Sequence, residues 1–382
     1  MVYAGVEQLD IEQIRSELPI TSKYIYLDHA AVGPLPTKVA EAAKRVVDEK
    51  CEGDLHWQSW EETVEATRES IAALIGGTTG EVALVHSTSD GLAIVANGLS
   101  YEKGANIVTC DMEFTSNLFP WQALTRRQSL ELRVVRNRDG KLLMEDFSNV
   151  IDSHTRLVAV SHIQYSNGFK INLGELSKIA HASGAYIVTD GVQAVGQMPV
   201  DVSKLGLDFL ATSGYKWLLS PISTGFLYVR SGLLEELWPT IVGYRSDENP
   251  MEFDFREFRP ARTARRYEDG QLNFPGFAGM NQAIRFLQGV GLETIWSRIL
   301  SLVDRLTDGV GRSKEVQVRS CLDQESKTGI VNIGCGDASL VAERLLKRGI
   351  VTSVRGGGLR ISPHFYNTEN EIDALISEIN AL

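Results

Sequence analysis

Two residues of this 382-residue chain combine reactivity with an apolar setting. Lys216 stands in Ser213-Gly214-Tyr215-Lys216-Trp217, between two apolar runs, and Asp190 closes the apolar run Ala185–Thr189. Burial disfavours an ammonium, so a lysine placed there must lose its charge or be consumed in a Schiff base. A carboxylate at a strand end can keep the nitrogen of a heteroaromatic ring protonated, so that the ring accepts electrons. An amine that captures an aldehyde, paired with such an acid, suits a pyridoxal phosphate (PLP) enzyme. The same amine, once displaced, can shuttle the Cα proton of an amino-acid substrate.

The surrounding pattern indicates how these groups would be positioned. Ala185–Thr189, Asp208–Ala211 and Gly225–Val229 read as buried strands. Acid and lysine then lie just beyond the C-terminal ends of successive strands, where open α/β sheets place their ligands. Upstream, Glu81–His86 reads as a strand, and Ser87-Thr88-Ser89-Asp90-Gly91 opens a helix over Leu92–Leu99. Small hydroxyl residues at such a turn cap the helix, and they also present hydroxyls and N–H groups to a phosphate. Asn106–Cys110, Leu130–Val135 and Leu157–Val160 read as further strands, and Thr37–Lys50 (with Thr37 as N-cap) and Ser59–Ile75 as helices. From Phe277 onward, helices alternate with short strands near 316–319, 328–333, 351–354 and 359–361, the signature of a small α+β unit.

The runs TDGVQAVG (189–196) and SGYKW (213–217) resemble the class V aminotransferase family, which includes cysteine desulfurases, kynureninases and isopenicillin-epimerase-like proteins. The resemblance extends from YLDHAAVGPLP (26–36) to LRISPHFYNT (359–368). It implies an α/β protein of PLP fold type I: a large domain with a mostly parallel central sheet sandwiched by helices, and a small α+β domain. The large domain is expected over 20–262, the small one over 1–19 and 263–382. By the same resemblance Lys216 and Asp190 are catalytic, and Ser87, Thr88, Ser89, Ser213 and Tyr215 form the phosphate cup. Phe114 stacks on the cofactor ring, where desulfurases carry a histidine, and Gln193 bonds its phenolic oxygen. Tyr165 stands where desulfurases place an asparagine. Gly270 and Gln271 lie in ARRYEDGQLN (264–273), which looks like the family loop that reaches the phosphate of a second subunit; a homodimer with shared sites follows. Arg360 matches the carboxylate clamp and Arg355 a second basic residue, while His56 aligns loosely with the substrate side of related sites.

One departure bears on the reaction. Desulfurases carry a nucleophilic cysteine on a loop between the two arginine positions, and here that loop is Gly356-Gly357-Gly358. Persulfide transfer to the protein is therefore not expected. The resemblance then implies amino-group transfer on an α-amino acid, with a carbon–sulfur β-lyase or an amino-acid epimerase as alternatives and a non-catalytic PLP-binding scaffold behind them.

Composition restricts the partners. A net charge of −11, with no long basic stretch, argues against nucleic acid or an anionic membrane surface. No segment approaches the roughly 20 apolar residues of a membrane helix. The N-terminal stretch carries acids where an export signal needs basic residues and an apolar run. Four cysteines without a CxxC pair fit a reducing cytoplasm, and no metal site is expected. His162, at a strand end, reads as a satisfied core histidine.

Overall fold

The computed structural model describes residues 10–252, 256–310 and 316–381; the expectations for residues 1–9 lie outside that range. Its centre is a seven-stranded sheet in the order Val82–Val85, Gly225–Val229, Phe209–Ser213, Tyr186–Asp190, Thr155–Ser161, Asn106–Cys110, Glu131–Val135. From Phe209–Ser213 to Glu131–Val135 the neighbours pair in parallel, and Gly225–Val229 runs antiparallel to both strands beside it. Val82–Val85, Asn106–Cys110, Phe209–Ser213 and Gly225–Val229 are buried along their whole length, which is why they read as largely apolar runs. Glu131–Val135, at the edge, is the most exposed strand of this sheet and carries charged residues.

Alternate residues of each strand feed two cores. Val82, Leu84, Val108, Ile187, Leu210 and Phe226 point to one face, with Val64, Ile71 and Ile75 of the helix Trp57–Ile75. Ala83, Val85, Ile107, Phe209, Ala211 and Leu227 point to the other, with Leu92 and Val95 of the helix Thr88–Gly98.

A second, antiparallel sheet is ordered Ser353–Arg355, Gly358–Ile361, Val331–Gly334, Gln317–Val318. The helices Leu292–Val310, Ala338–Lys347 and Glu369–Asn380 cover it. In the first of these, Ile295, Ile299, Leu302, Val303, Leu306 and Val310 are buried, a spacing that makes one apolar stripe. Ile25–Tyr26 pairs in parallel with Ile350–Val351. The chain around Leu27 and Asp28 is thereby tied to the second sheet, where Ser362 N–H donates to the Leu27 carbonyl at 2.7 Å.

One local expectation is corrected. Pro36, not Thr37, is the N-cap of the helix Thr37–Lys50, and no side chain caps it. The helix Phe274–Val290 packs on the large sheet's side. Phe277, Met280, Ile284 and Leu287 of the helix Phe274–Val290 are apolar at helical spacing and join the core of the helix Trp57–Ile75. The helices Phe119–Gln128 and Leu173–Ala182, unread in the sequence, cover the large sheet between its parallel strands.

Candidate active site

Strand pairing sets Asp190 beside Ala211, so the segment that follows Ser213 turns back over the strand end carrying the acid. Both Asp190 and Lys216 are buried. Asp190 Oδ1 accepts the Val192 N–H at 2.9 Å; its other oxygen has no hydrogen-bond partner among the described residues. Burial pushes the Asp190 carboxyl up, against the Val192 N–H and the Lys216 charge, while Glu113 adds to the rise. Burial likewise pushes the Lys216 amine down, aided by Arg360 and Arg355 and opposed by Asp190 and Asp28. Each group's charge therefore favours the charged form of the other.

Lys216 Nζ lies 5.9 Å from the ring centroid of Phe114 and 5.7 Å from that of Tyr215. Phe114 is 43% exposed although it sits at a strand end, and Tyr165 meets it edge-on at 5.1 Å. Glu113, the residue before it, holds this turn. Its buried carboxylate accepts the Ser161 N–H at 2.7 Å, Asn117 Nδ2 at 2.9 Å and Gln164 Nε2 at 3.1 Å. Sequence reasoning missed Glu113 and Asn117; their i, i+4 spacing just after a buried strand is the signal that was available.

Hydroxyl residues stand at the start of the helix Thr88–Gly98. Ser87 caps the helix Thr88–Gly98 by accepting the Asp90 N–H at 3.2 Å. Thr88 N–H donates to Ser213 Oγ at 2.8 Å, joining the helix start to the end of the strand Phe209–Ser213. A Cβ on Gly91 would stand 2.8 Å from the Ala211 Cβ, so glycine lets this helix lie close on the sheet. Gln193 is more committed than expected. Its carboxamide oxygen accepts Trp217 Nε1 at 2.8 Å and its nitrogen donates to the Ala30 carbonyl at 2.9 Å, which leaves one N–H.

Arg360 is buried, with Nη1 donating to the Tyr165 carbonyl at 3.0 Å and Nη2 to Asp28 Oδ1 at 3.2 Å. Its Nε is buried without a partner. Arg355 is exposed and donates to the Val354 carbonyl. Between them Gly356 and Gly357 take positive φ values of 56° and 70°, and no cysteine lies on this loop. Burial pushes the thiols of Cys110 and Cys335 up rather than down, so neither is a ready thiolate.

Three predicted residues lie on other segments, with contacts of their own. His56 precedes the helix Trp57–Ile75, pairs with Glu52 at 2.7 Å and stacks near Trp60. The helix start that carries it is anchored on Phe274 through Trp57 and Trp60. Gly270 and Gln271 sit on a partly exposed tip beyond a buried anchor. In that anchor Glu268 takes Arg68 Nη1 at 2.6 Å and the Leu84 N–H at 2.8 Å. His162 is buried as expected but is not satisfied: its Nδ1 has no partner, and burial, with Lys170 nearby, pushes the ring down to about 3.

The arrangement fits PLP. A buried carboxylate with an uncommitted oxygen, a buried amine and the open face of Phe114 converge. A hydroxyl-rich helix start stands at the end of the neighbouring strand. Among the described residues no cluster of His, Cys, Asp and Glu could hold a metal, and no helix is long and apolar enough to cross a membrane.

The chain is similar to known proteins over most of its length. The family model described as Aminotransferase class-V matches residues 25–375. A probable cysteine desulfurase of Methanothermobacter thermautotrophicus is 29% identical over 392 residues, covering 95% of this chain and 96% of that protein. The apo structure of a cysteine desulfurase from Thermococcus onnurineus NA1 aligns with a TM-score of 0.89 at 28% identity, over 100% of this chain and 99% of that one. A structure of a C-DES mutant with glycine covalently linked to its PLP cofactor shares the fold, with a TM-score of 0.90 at 22% identity over 96% and 98% of the two chains.

Proposed function

The chain belongs to the class V aminotransferase family, a family of PLP-dependent enzymes, and on that footing we propose that it is a carbon–sulfur β-lyase acting on a cysteine-like α-amino acid. The observation that carries this reading is the convergence of Lys216, Asp190 and Arg360 beside a glycine loop that has no thiol. Arg360 offers its unpartnered Nε and remaining Nη hydrogens to the substrate α-carboxylate, a fork that fixes the direction of the Cα–H bond. Lys216 holds the cofactor through its amine and, once released by the substrate amine, takes the Cα proton. Asp190 would meet the ring nitrogen with its uncommitted oxygen. Ser87, Thr88, Ser89, Ser213 and Tyr215 would hold the phosphate, Phe114 would cover the ring, and the remaining N–H of Gln193 would serve the ring oxygen. When bound, PLP supplies the electron sink that stabilises the pair left at Cα. The Cα pair would form the Cα=Cβ bond as the Cβ–S pair leaves on sulfur, and the thiolate or sulfide would take its proton from solvent, because loop 356–358 offers no thiol to receive it.

Amino-group transfer is the second reading, and Phe114 favours it. A phenyl ring stands where desulfurases carry an imidazole, so no group at that position can protonate a departing sulfur. Incubation with cysteine or cystine, and separately with alanine and a 2-oxo acid, separates the two. Release of sulfide or persulfide with pyruvate supports the lyase; formation of a new amino acid supports transfer. Neither product from the PLP-loaded protein, or products that persist in Lys216→Ala, would overturn both.

A homodimer belongs to this reading, with the tip at Gly270 and Gln271 reaching the phosphate side of a second copy. The buried anchor at Glu268 and the exposed tip support it. Light scattering on the active protein is expected to give twice the chain mass.

A further inference from the structure

We infer that His364 is a positioning residue for Lys216, acting through the backbone of Trp217, with His29 and Tyr366 holding its ring. The inference rests on Lys216 being the amine that holds the cofactor.

Three consecutive carbonyls around the lysine are each taken by a different donor. Gly33 N–H donates to the Tyr215 carbonyl at 2.8 Å, Leu219 N–H to that of Lys216 at 3.1 Å, and His364 Nε2 lies 3.1 Å from that of Trp217. The first two donors are backbone groups. The third is a side chain from the segment after the strand Gly358–Ile361, so it alone can be removed without moving the main chain.

The tautomers follow from the partners. Phe365 N–H donates to His364 Nδ1 at 2.9 Å, so the proton of His364 resides on Nε2 and points at the Trp217 carbonyl. His29 Nδ1 faces the Ser362 carbonyl at 2.9 Å and must carry the proton, so its Nε2 accepts the Tyr366 hydroxyl at 2.6 Å. The rings interlock, His29 against His364 at 4.9 Å and His364 stacked on Tyr366 at 5.9 Å, and all are fully buried. Burial holds both imidazoles neutral, His364 pushed down to about 4 and His29 well below its usual range.

The same cluster reaches Trp217 by a second route. Ala30 N–H donates to Ser362 Oγ at 3.0 Å, and the Ala30 carbonyl accepts Gln193, which in turn holds the Trp217 indole. Trp217 is thus gripped at its carbonyl by His364 and at its ring by Gln193. Reactive groups must be held to within about 0.5 Å for full effect. His364 accordingly lets the second sheet set the aim of an amine carried by the first.

The test compares His364→Phe, which keeps a ring and loses the donor, with His364→Gln, which keeps an N–H. The apo protein is mixed with PLP, and the rate of the borohydride-reducible adduct at Lys216 is followed by its visible band. The expected result is adduct formation slowed about 10-fold in H364F, with kcat falling similarly at unchanged KM, and recovery to within about 3-fold in H364Q. If H364F does not fold, Tyr366→Phe, which frees His29 while keeping the stacked ring, should slow adduct formation about 3-fold. Wild-type rates in H364F, or equal losses in H364F and H364Q, would overturn the inference. An absent adduct in the wild type would instead remove the reading of Lys216 itself, and this inference with it.

Discussion

Buried Arg360 and half-buried Asp28 form an ion pair, Nη2 to Oδ1 at 3.2 Å, that joins two distant parts of the chain beside Lys216. Asp28 also accepts Ser353 Oγ at 2.7 Å, so the arginine is braced by the second sheet before any substrate arrives. Burial, with Arg355 nearby, pushes the guanidinium down from its usual range, and Asp28 opposes this. A planar fork cannot be replaced by a point charge. Arg360→Lys is expected to raise KM for the amino acid about 10- to 100-fold, the loss of a bidentate charge-assisted contact. PLP content should stay unchanged. Steady-state kinetics checks the first expectation and the spectrum of the purified variant the second.

Asp190→Asn should separate binding from chemistry. The amide keeps the size of the side chain and can still meet the Val192 N–H, but it cannot hold a positive charge on a ring nitrogen. The expected outcome is near-normal PLP content with kcat lowered about 10²- to 10³-fold. Single-turnover measurements of Cα deuterium exchange would show whether the loss falls on proton removal.

Much of this was legible because buried parallel strands write themselves as apolar runs with chemistry at their ends. Asp190, Lys216 and the Ser87–Ser89 turn could be named that way, and the structure brings Thr88 to Ser213. The cluster of His29, His364 and Tyr366 could not. Its members come from segments separated by about the length of the chain, and a buried neutral histidine has no periodic signature. Glu113 was hidden for a similar reason, since its partners Ser161 and Gln164 belong to another strand end. The helix Phe274–Val290 was legible as a helix, but its place against the helix Trp57–Ile75 was not, because the residue pattern shows an apolar face without naming what covers it.

The buried histidines set an acid limit on stability. Burial pushes His364 down to about 4, His162 to about 3 and His29 well below its usual range. The unfolded chain takes up protons near pH 6.5 that the folded chain refuses until these lower values. With the folded values depressed, stability present above pH 6.5 is lost as pH falls toward 4. Each histidine should cost about 1.4 kcal/mol per pH unit over that window. Urea denaturation at pH 7.0 and pH 5.5 should show the loss, and His162→Phe should flatten its slope by about one proton.

Gly33 should be intolerant of any side chain, for a reason that has nothing to do with helix or strand propensity. A Cβ there would lie 2.1 Å from the Lys216 carbonyl oxygen and 2.9 Å from Leu219 Cδ2. The oxygen belongs to the main chain, which the Gly33 and Leu219 N–H groups and His364 already hold, so it cannot retreat as a flexible side-chain tip could. Gly33→Ala is expected to destabilise by about 1–3 kcal/mol through overpacking and to lower PLP occupancy by displacing Lys216. Gly232→Ala provides the contrast, since a Cβ there meets only Arg230 Nη1 at 3.9 Å. It should stay within about 0.5 kcal/mol of the parent. Denaturant midpoints together with the visible absorbance of the two variants distinguish a general loss of stability from a displaced lysine: only G33A should lose colour while still folded.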